Sequence, residues 1–474
     1  MSESNKTDES HFPYLPHTQA DRDAMLKAIG VRTFEDLLTH IPKDIRVKEL
    51  NLAPGLNELE LTQKVAELSR KNKPASQQAC FLGGGSYRRF VPASVGSIIS
   101  RSEFATAYTP YQPEVSQGSL QAIYEFQTAI CLLTDMEVAN ASMYDGQTAC
   151  AEAAMMACRL TDRKKVVIAQ SVNPEYALVT RTMLDTAGVA HTSVPAADGV
   201  VDASALKFDD ATAAFVVQYP NYFGCLEDLE AIKKQTEATG TLLVVVTDPI
   251  AMGLLTPPGT FGADIVVGDA QQCGNNLSFG GPTAGFMATR TKFVRQLPGR
   301  LAGQTLDNRG QRAFTLTLQT REQHIRRQNA TSNICTNQAL NALAMLVYLT
   351  LLGPQGLRDA AEISVRRAHH LAELLTSKGG MKLRFNQPFV NEFVLQSPVP
   401  VAQLFDELKE QNILGGIELG RFLPEYKDCL LVAVTETNSP AELERYAEAV
   451  AQIAGGQGAK DRSAKTESAL AHKR

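Results

Sequence analysis

Residues 242–276 read LLVVVTDPIAMGLLTPPGTFGADIVVGDAQQCGNN. The run Leu242–Val246 is too short for a typical helix, and it is apolar at every position, so both of its faces must be covered. That is the pattern of a strand inside a parallel sheet. Asp248-Pro249 ends the run, and a second one, Asp264–Gly268, follows after a turn-rich connection. Working outward, VVIA (166–169), AAFVVQ (213–218) and AGFMA (284–288) repeat the pattern, with helical stretches near 174–187 and 226–238. Strands alternating with helices predict an α/β fold, a mainly parallel sheet with helices on both faces.

Asp248 then lies just past the carboxyl end of a buried parallel strand, the edge along which open α/β sheets bind ligands. In enzymes that use pyridoxal phosphate, an Asp here pairs with the pyridine nitrogen, and a Lys about 20 residues later forms the Schiff base. The next strand arrives on schedule, but the loop after it is Asp269-Ala-Gln-Gln-Cys-Gly-Asn-Asn276, and no lysine occurs between Lys234 and Lys292. The Schiff base cannot form at this position. Gln271 and Gln272 stand there as degenerate equivalents, and Asp248 reads equally well as a strand-end turn residue.

Three other segments carry chemistry-bearing patterns. In SMYDGQTACAEAA (142–154), Asp145 is placed to cap a helix whose first amides, on Gly146, Gln147 and Thr148, suit an anion. An ordinary capped helix is the commoner cause of that pattern. In EFATAYTPYQPEVSQG (103–118), Tyr108, Tyr111 and Gln112 lie on a proline-stiffened stretch able to line a polar pocket; a surface turn anchored by two tyrosines is the plainer reading. TREQHIRR (320–327) offers arginine forks for an anion, or more simply a salt-bridged face with His324 packed into it.

Four divisions are expected: an N-terminal helical arm with a glycine-rich loop over 1–95, a large α/β domain over 96–315, a bridging helix and smaller α+β domain over 316–454, and an unstructured tail over 455–474. The loop FLGGGSYRRFVP (81–92) has three successive glycines and can approach a ligand or partner closely. The bridging helix is expected from about Asn333 to Leu352, stopped by Gly353-Pro354.

Composition narrows the class. With 474 residues, 44% of them hydrophobic and 20% charged, the chain suits a folded protein of at least two domains. A net charge of −5 without basic blocks argues against a nucleic-acid partner. The start of the chain has no basic-then-apolar leader and no apolar run of spanning length appears, so the bacterial cytoplasm is the expected setting, without a membrane. The eight cysteines form no C-x-x-C pair, so neither a zinc site nor a disulfide framework is signalled.

Several of these stretches together resemble a known family. TAYTPYQPEVSQGSLQAIYEFQ (106–127), VANASMYDGQTACAEA (138–153), LLTPPGTFGADIVVGDAQ (254–271), FGGPTAGF (279–286), LPGRLAG (297–303) and LTLQTREQHIRRQNATSNICTNQAL (316–340) are similar to subunit 1 of the glycine dehydrogenase (decarboxylating), the P-protein of the glycine cleavage system, over roughly residues 10–450. The resemblance implies a pyridoxal-phosphate-dependent transferase of fold type I, split into two homologous halves that assemble as an α2β2 heterotetramer. It implies that pyridoxal phosphate is bound by the lysine of subunit 2, not here. The reaction implied is decarboxylation of glycine with transfer of the aminomethyl group to the lipoyl arm of H-protein, with no metal. Tyr108, Tyr111 and Gln112, beside the Gly83–Tyr87 loop, are then expected to line the shared site. The chain departs from the family pattern at Asp269, where Glu is expected, at Cys273 with Asn275-Asn276, and at Gln328-Asn329. An inert scaffold for the partner, or a free-standing enzyme using another lysine, are the competing readings.

Overall fold

The computed structural model describes residues 17–47, 51–334 and 337–456. The polar start and almost all of the expected tail lie outside the described residues. The chain divides into two units, Met1–Asn72 and Lys73–Arg474.

The first unit holds helices α1 (Gln19–Ile29) and α2 (Glu58–Ser69), each opened by a capping box: Thr18 with Asp21, and Asn57 with Glu60. Gly30 ends α1 at a φ of 87°, the left-handed turn that glycine adopts without strain. None of its described residues is buried, and Ile29, Phe34, Leu59 and Val65 are each more than half exposed.

The second unit begins with a short strand, β1 (Ala79–Cys80), and the helix α3 (Gln117–Thr134). Its main sheet is built from β2 (Val138–Ala139), β3 (Lys165–Ala169), β4 (Ala190–Val194), β5 (Thr212–Tyr219), β6 (Leu242–Thr247), β7 (Ile265–Asp269) and β8 (Gly285–Thr289), in the order β2-β8-β7-β6-β5-β3-β4. Neighbours from β7 through to β4 are parallel, and β8 runs against both β7 and β2. The alternation predicts the five inner strands, of which AGFMA is the one reversed, and misses the edge strands β2 and β4. Val244, Val245, Ile265, Val266 and Phe215 are all inaccessible to solvent. Each such side chain contributes about 1.5–3 kcal/mol of transfer free energy.

Helices α4 (Gly146–Thr161), α5 (Pro174–Thr186) and α6 (Leu229–Thr239) cover the sheet. Ala149, Ala153, Ala154 and Ala157 on α4 are fully buried, and their small size lets the helix lie close on the strands. Asp145 caps α4 by accepting from the Thr148 N–H at 2.6 Å. Asp145→Ala is expected to cost about 1 kcal/mol, with Asp145→Asn retaining most of it. Urea midpoints for the two variants check this, and equal losses would show that the cap is idle.

A hairpin, β9 (Leu301–Leu306) with β10 (Arg312–Thr317), follows the sheet. Next comes the helix α7 (Ala339–Ser377), interrupted at Gly353, whose φ of 60° and ψ of −177° split it as Gly-Pro predicts. It starts later than the apolar pattern suggests. Its first half enters the large core through Ala344, Met345 and Tyr348, and its second half enters the small-domain core through Ala368, Leu371 and Leu375. By length and composition alone α7 is long and apolar enough to span a membrane, a test that core helices also pass. The small domain is an antiparallel sheet of β11 (Lys382–Leu383), β12 (Glu392–Gln396), β14 (Ile417–Glu418) and β15 (Cys429–Ala433), packed under α8 (Val401–Glu410) and α9 (Pro440–Ala454). Its remaining strand, β13 (Ile413–Leu414), pairs with β1.

Candidate functional site

The carboxyl edge of the sheet gathers the ends of β3, β5, β6 and β7 and the start of α4. Asp248 sits there, but its carboxylate turns back onto its own chain and accepts from the Ile250 and Ala251 amides at 2.7 and 3.2 Å. Asp269, at the end of β7, accepts from three amides: Gly146 at 2.9 Å, Gln271 at 2.8 Å and Ala284 at 3.2 Å. Burial pushes the Asp269 carboxyl up, against the lowering effect of those three donors.

The loop beyond Asp269 is bonded to its surroundings through Gln271, Gln272 and Asn275. Gln271 accepts from the Tyr87 N–H at 3.0 Å and donates to the carbonyls of Tyr87 and Asn275. Gln272 accepts from Arg89 Nε at 3.0 Å. A side chain on Gly274, at a φ of +85°, would strike the carbonyl of Ala344 on α7. Cys273 is buried, which pushes its thiol well up.

The glycine-rich loop lies on this closed position. Gly84 N–H donates to Glu392 Oε1 at 2.7 Å, Tyr87 Oη to Glu392 Oε2 at 2.8 Å, and Asn173 Nδ2 to the Gly84 carbonyl at 2.7 Å. A Cβ on Gly83 would fall on Ala433 and Glu392, so only glycine lets the loop pass this close to the smaller sheet.

The tyrosine segment forms a different place. Tyr108 is 79% exposed and lines a cleft of about 240 Å³ together with Phe104, Phe126, Arg300, Gln338 and Leu340. Tyr111 Oη accepts from Arg300 Nη2 at 3.2 Å, and its ring meets His324 edge-on with centroids 6.0 Å apart. Gln112 is exposed beside it. Arg300 is 5% exposed; its Nε has no hydrogen-bond partner and lies 3.7 Å from Glu322 Oε2. Sequence reasoning named the LPGRLAG and TREQHIRR stretches without seeing that Arg300 and Glu322 meet beneath Tyr111. No spacing signals that contact, because the fold alone joins segments so far apart in the chain.

The start of α7 links the two places. Asn337 and Gln338 border the cleft and bond the Ala141 carbonyl and Ser142 Oγ, while the Asn341 carbonyl accepts from Asn275 of the closed loop.

This fold is that of the pyridoxal-phosphate enzymes of fold type I. A glutamate decarboxylase from Lactobacillus brevis matches with a TM-score of 0.65 at 11% identity, over 86% of this chain and 94% of that one, a likeness that shows the fold alone. More specifically, the chain belongs to the family described as glycine cleavage system P-protein, which matches residues 12–450. It is 48% identical over 449 residues to a probable glycine dehydrogenase (decarboxylating) subunit 1 from Chlorobium luteolum, covering 94% of this chain and 100% of the relative. It is also similar to a crystal structure of glycine decarboxylase (P-protein) of the glycine cleavage system in inhibitor-bound form, with a TM-score of 0.86 and 43% identity, over 93% of this chain and all of that one.

The residues at the sheet edge do not fit the family's cofactor. Among the described lysines of residues 96–315, Lys164 and Lys207 precede parallel strands and Lys165 opens one, all at the opposite, amino edge. Lys233 is tied to Asp264 at the start of β7, at that same edge. Lys292 follows the reversed β8, whose Thr289 pairs with Ile265, and so lies there too. Lys234 is exposed on α6, paired with Glu230. None reaches Asp248.

Proposed function

We propose that this chain is the cofactor-free half of a glycine-decarboxylating P-protein and completes a site whose pyridoxal phosphate is held by the homologous, lysine-bearing subunit 2 in an α2β2 assembly. The observation that carries the reading is the sheet edge: Asp269 and Gln271 are bonded within the chain, Gln272 Oε1 accepts from Arg89, and Asp248 turns one carboxylate oxygen onto its own backbone, with no lysine beside them among the described residues. The names of the relatives supply decarboxylation of glycine within the glycine cleavage system; passage of the aminomethyl group to the lipoyl arm of H-protein is part of the proposal. Pyridoxal phosphate, where bound, supplies the electron sink for that decarboxylation.

This chain's contribution is the exposed Tyr108, Tyr111 and Gln112 segment, stiffened by Pro110 and Pro113. Gln117 anchors the segment to β10, donating to the Phe314 carbonyl at 2.9 Å. Arg300 holds Tyr111 from below, and the phenol proton stays free to donate to a ligand. The relatives are bacterial, and a cytoplasmic setting is part of the proposal.

The test is exchange of labelled bicarbonate into glycine by this chain mixed with its lysine-bearing partner and lipoylated H-protein. Activity is expected only from the mixture. Tyr108→Phe and Tyr111→Phe should each lower the rate about tenfold with assembly intact, the value of one lost hydrogen bond of about 1.4 kcal/mol. Unchanged rates in both variants would leave this segment outside the site and favour a scaffold role.

A further inference from the structure

The missing lysine explains why no Schiff base forms, but not why Asp269 lies where it does. Helix α4 has sixteen residues, and its Asp145 cap satisfies the Thr148 amide, leaving the Gly146 amide at the positive end of the helix dipole. In the open form of such a site, that amide and its neighbours would hold a phosphate. Here the Asp269 carboxylate reaches in from the end of β7 and takes the Gly146 amide with one oxygen, and the Gln271 and Ala284 amides with the other. Tyr176 packs so closely on Gly146 that a Cβ there would coincide with its phenol. The loop between β7 and β8 thus begins and ends on one carboxylate, which also binds the helix.

We infer that Asp269 is a built-in anion standing in the place of a cofactor phosphate, so that this half is plugged as well as lacking its lysine. The inference deepens the reading of the chain as the cofactor-free half and concerns the same site. It means that restoring a lysine alone would not restore cofactor binding, because the phosphate would meet a carboxyl group already seated on those amides.

Inorganic phosphate is the probe. The full chain and its Asp269→Ala, Asp269→Ser and Asp269→Asn variants are melted in phosphate and in chloride at equal ionic strength. Asp269→Ala is expected to melt lower in chloride, because three amides lose their acceptor, and to recover at least half of that shift in phosphate by binding it. If Asp269→Ala does not fold, Asp269→Ser, which keeps an oxygen, takes the same test. The wild type and Asp269→Asn, whose side chains fill the space, should respond equally to the two salts. A truncated variant that melts alike in both salts, or a wild type that gains as much from phosphate as the variant, overturns the inference and leaves the partner reading standing. Visible absorbance from the wild-type chain alone with pyridoxal phosphate, fixed by borohydride onto one of its lysines, overturns both.

Discussion

Arg89→Met is expected to lower the stability of the chain by about 3–5 kcal/mol, the range for removing one member of a buried ion pair. Arg89 is 6% exposed and makes three contacts that join three parts of the molecule. Its Nη1 donates to Glu436 Oε2 at 2.6 Å and to Ser364 Oγ at 2.8 Å, and its Nε donates to Gln272 Oε1 at 3.0 Å. Glu436 belongs to the small domain, Ser364 to the second half of α7 and Gln272 to the closed loop at the sheet edge. Methionine fills much of the same volume, so the cost reports lost charge and hydrogen bonds more than a cavity. Glu436 would keep only the Phe90 amide, at 2.8 Å, as compensation for a carboxylate that is 14% exposed. Urea unfolding followed by circular dichroism measures the loss. Arg89→Met with Glu436→Leu should recover most of it, because an apolar pair carries no stranded charge. A single variant costing under about 1 kcal/mol would mean that Arg89 is not the joint between these parts.

How far the sequence revealed this arrangement depends on the range of the interaction. Apolar runs such as LLVVV and DIVVG are local, and the strands they predict match β6 and β7 to within a residue or so. The cap at Asp145 and the break at Gly353-Pro354 are equally local and were equally legible. Edge strands were not: AHTSV (190–194) is half-polar because one side of β4 has no neighbour, so it reads as loop. The hairpin of β9 and β10 hid for a similar reason, since four of its twelve residues are exposed and four more are only half-buried. For the site, the absence of a lysine was plain in the sequence, whereas the seating of Asp269 on α4 was not. That contact joins residues 123 positions apart, and only the strand order brings them together. The same holds for Arg300 under Tyr111, 189 positions apart.

Glu392→Gln is expected to remove a pH dependence worth on the order of 3 kcal/mol between about pH 4.5 and 7. Glu392 is 6% exposed between the glycine-rich loop and the small-domain sheet. Burial first, and the nearby charge of Asp248, push its carboxyl up from the ordinary value of 4.5 to about 7, against the lowering effect of the Gly84 amide and the Tyr87 hydroxyl. The folded value lies above the unfolded one, so the folded chain binds the proton more tightly. The stability this provides is complete below about pH 4.5 and is lost as the pH rises through about 7. The gap between the two values, at about 1.4 kcal/mol per pH unit, gives the stated size. Glutamine mimics the neutral form: its oxygen accepts from Gly84, and its amide nitrogen donates to Tyr87 Oη, which turns to accept. Unfolding free energies of the wild type and the variant, measured across that window, should therefore converge at the acid end and separate toward neutral pH, with the variant the more stable at pH 8. Parallel curves would mean that Glu392 ionises as a solvent-facing glutamate does. The loop that crosses between the domains would then not be held by a neutral carboxyl, and the domain contact built on Gly83, Gly84 and Tyr87 would have to be stable without it.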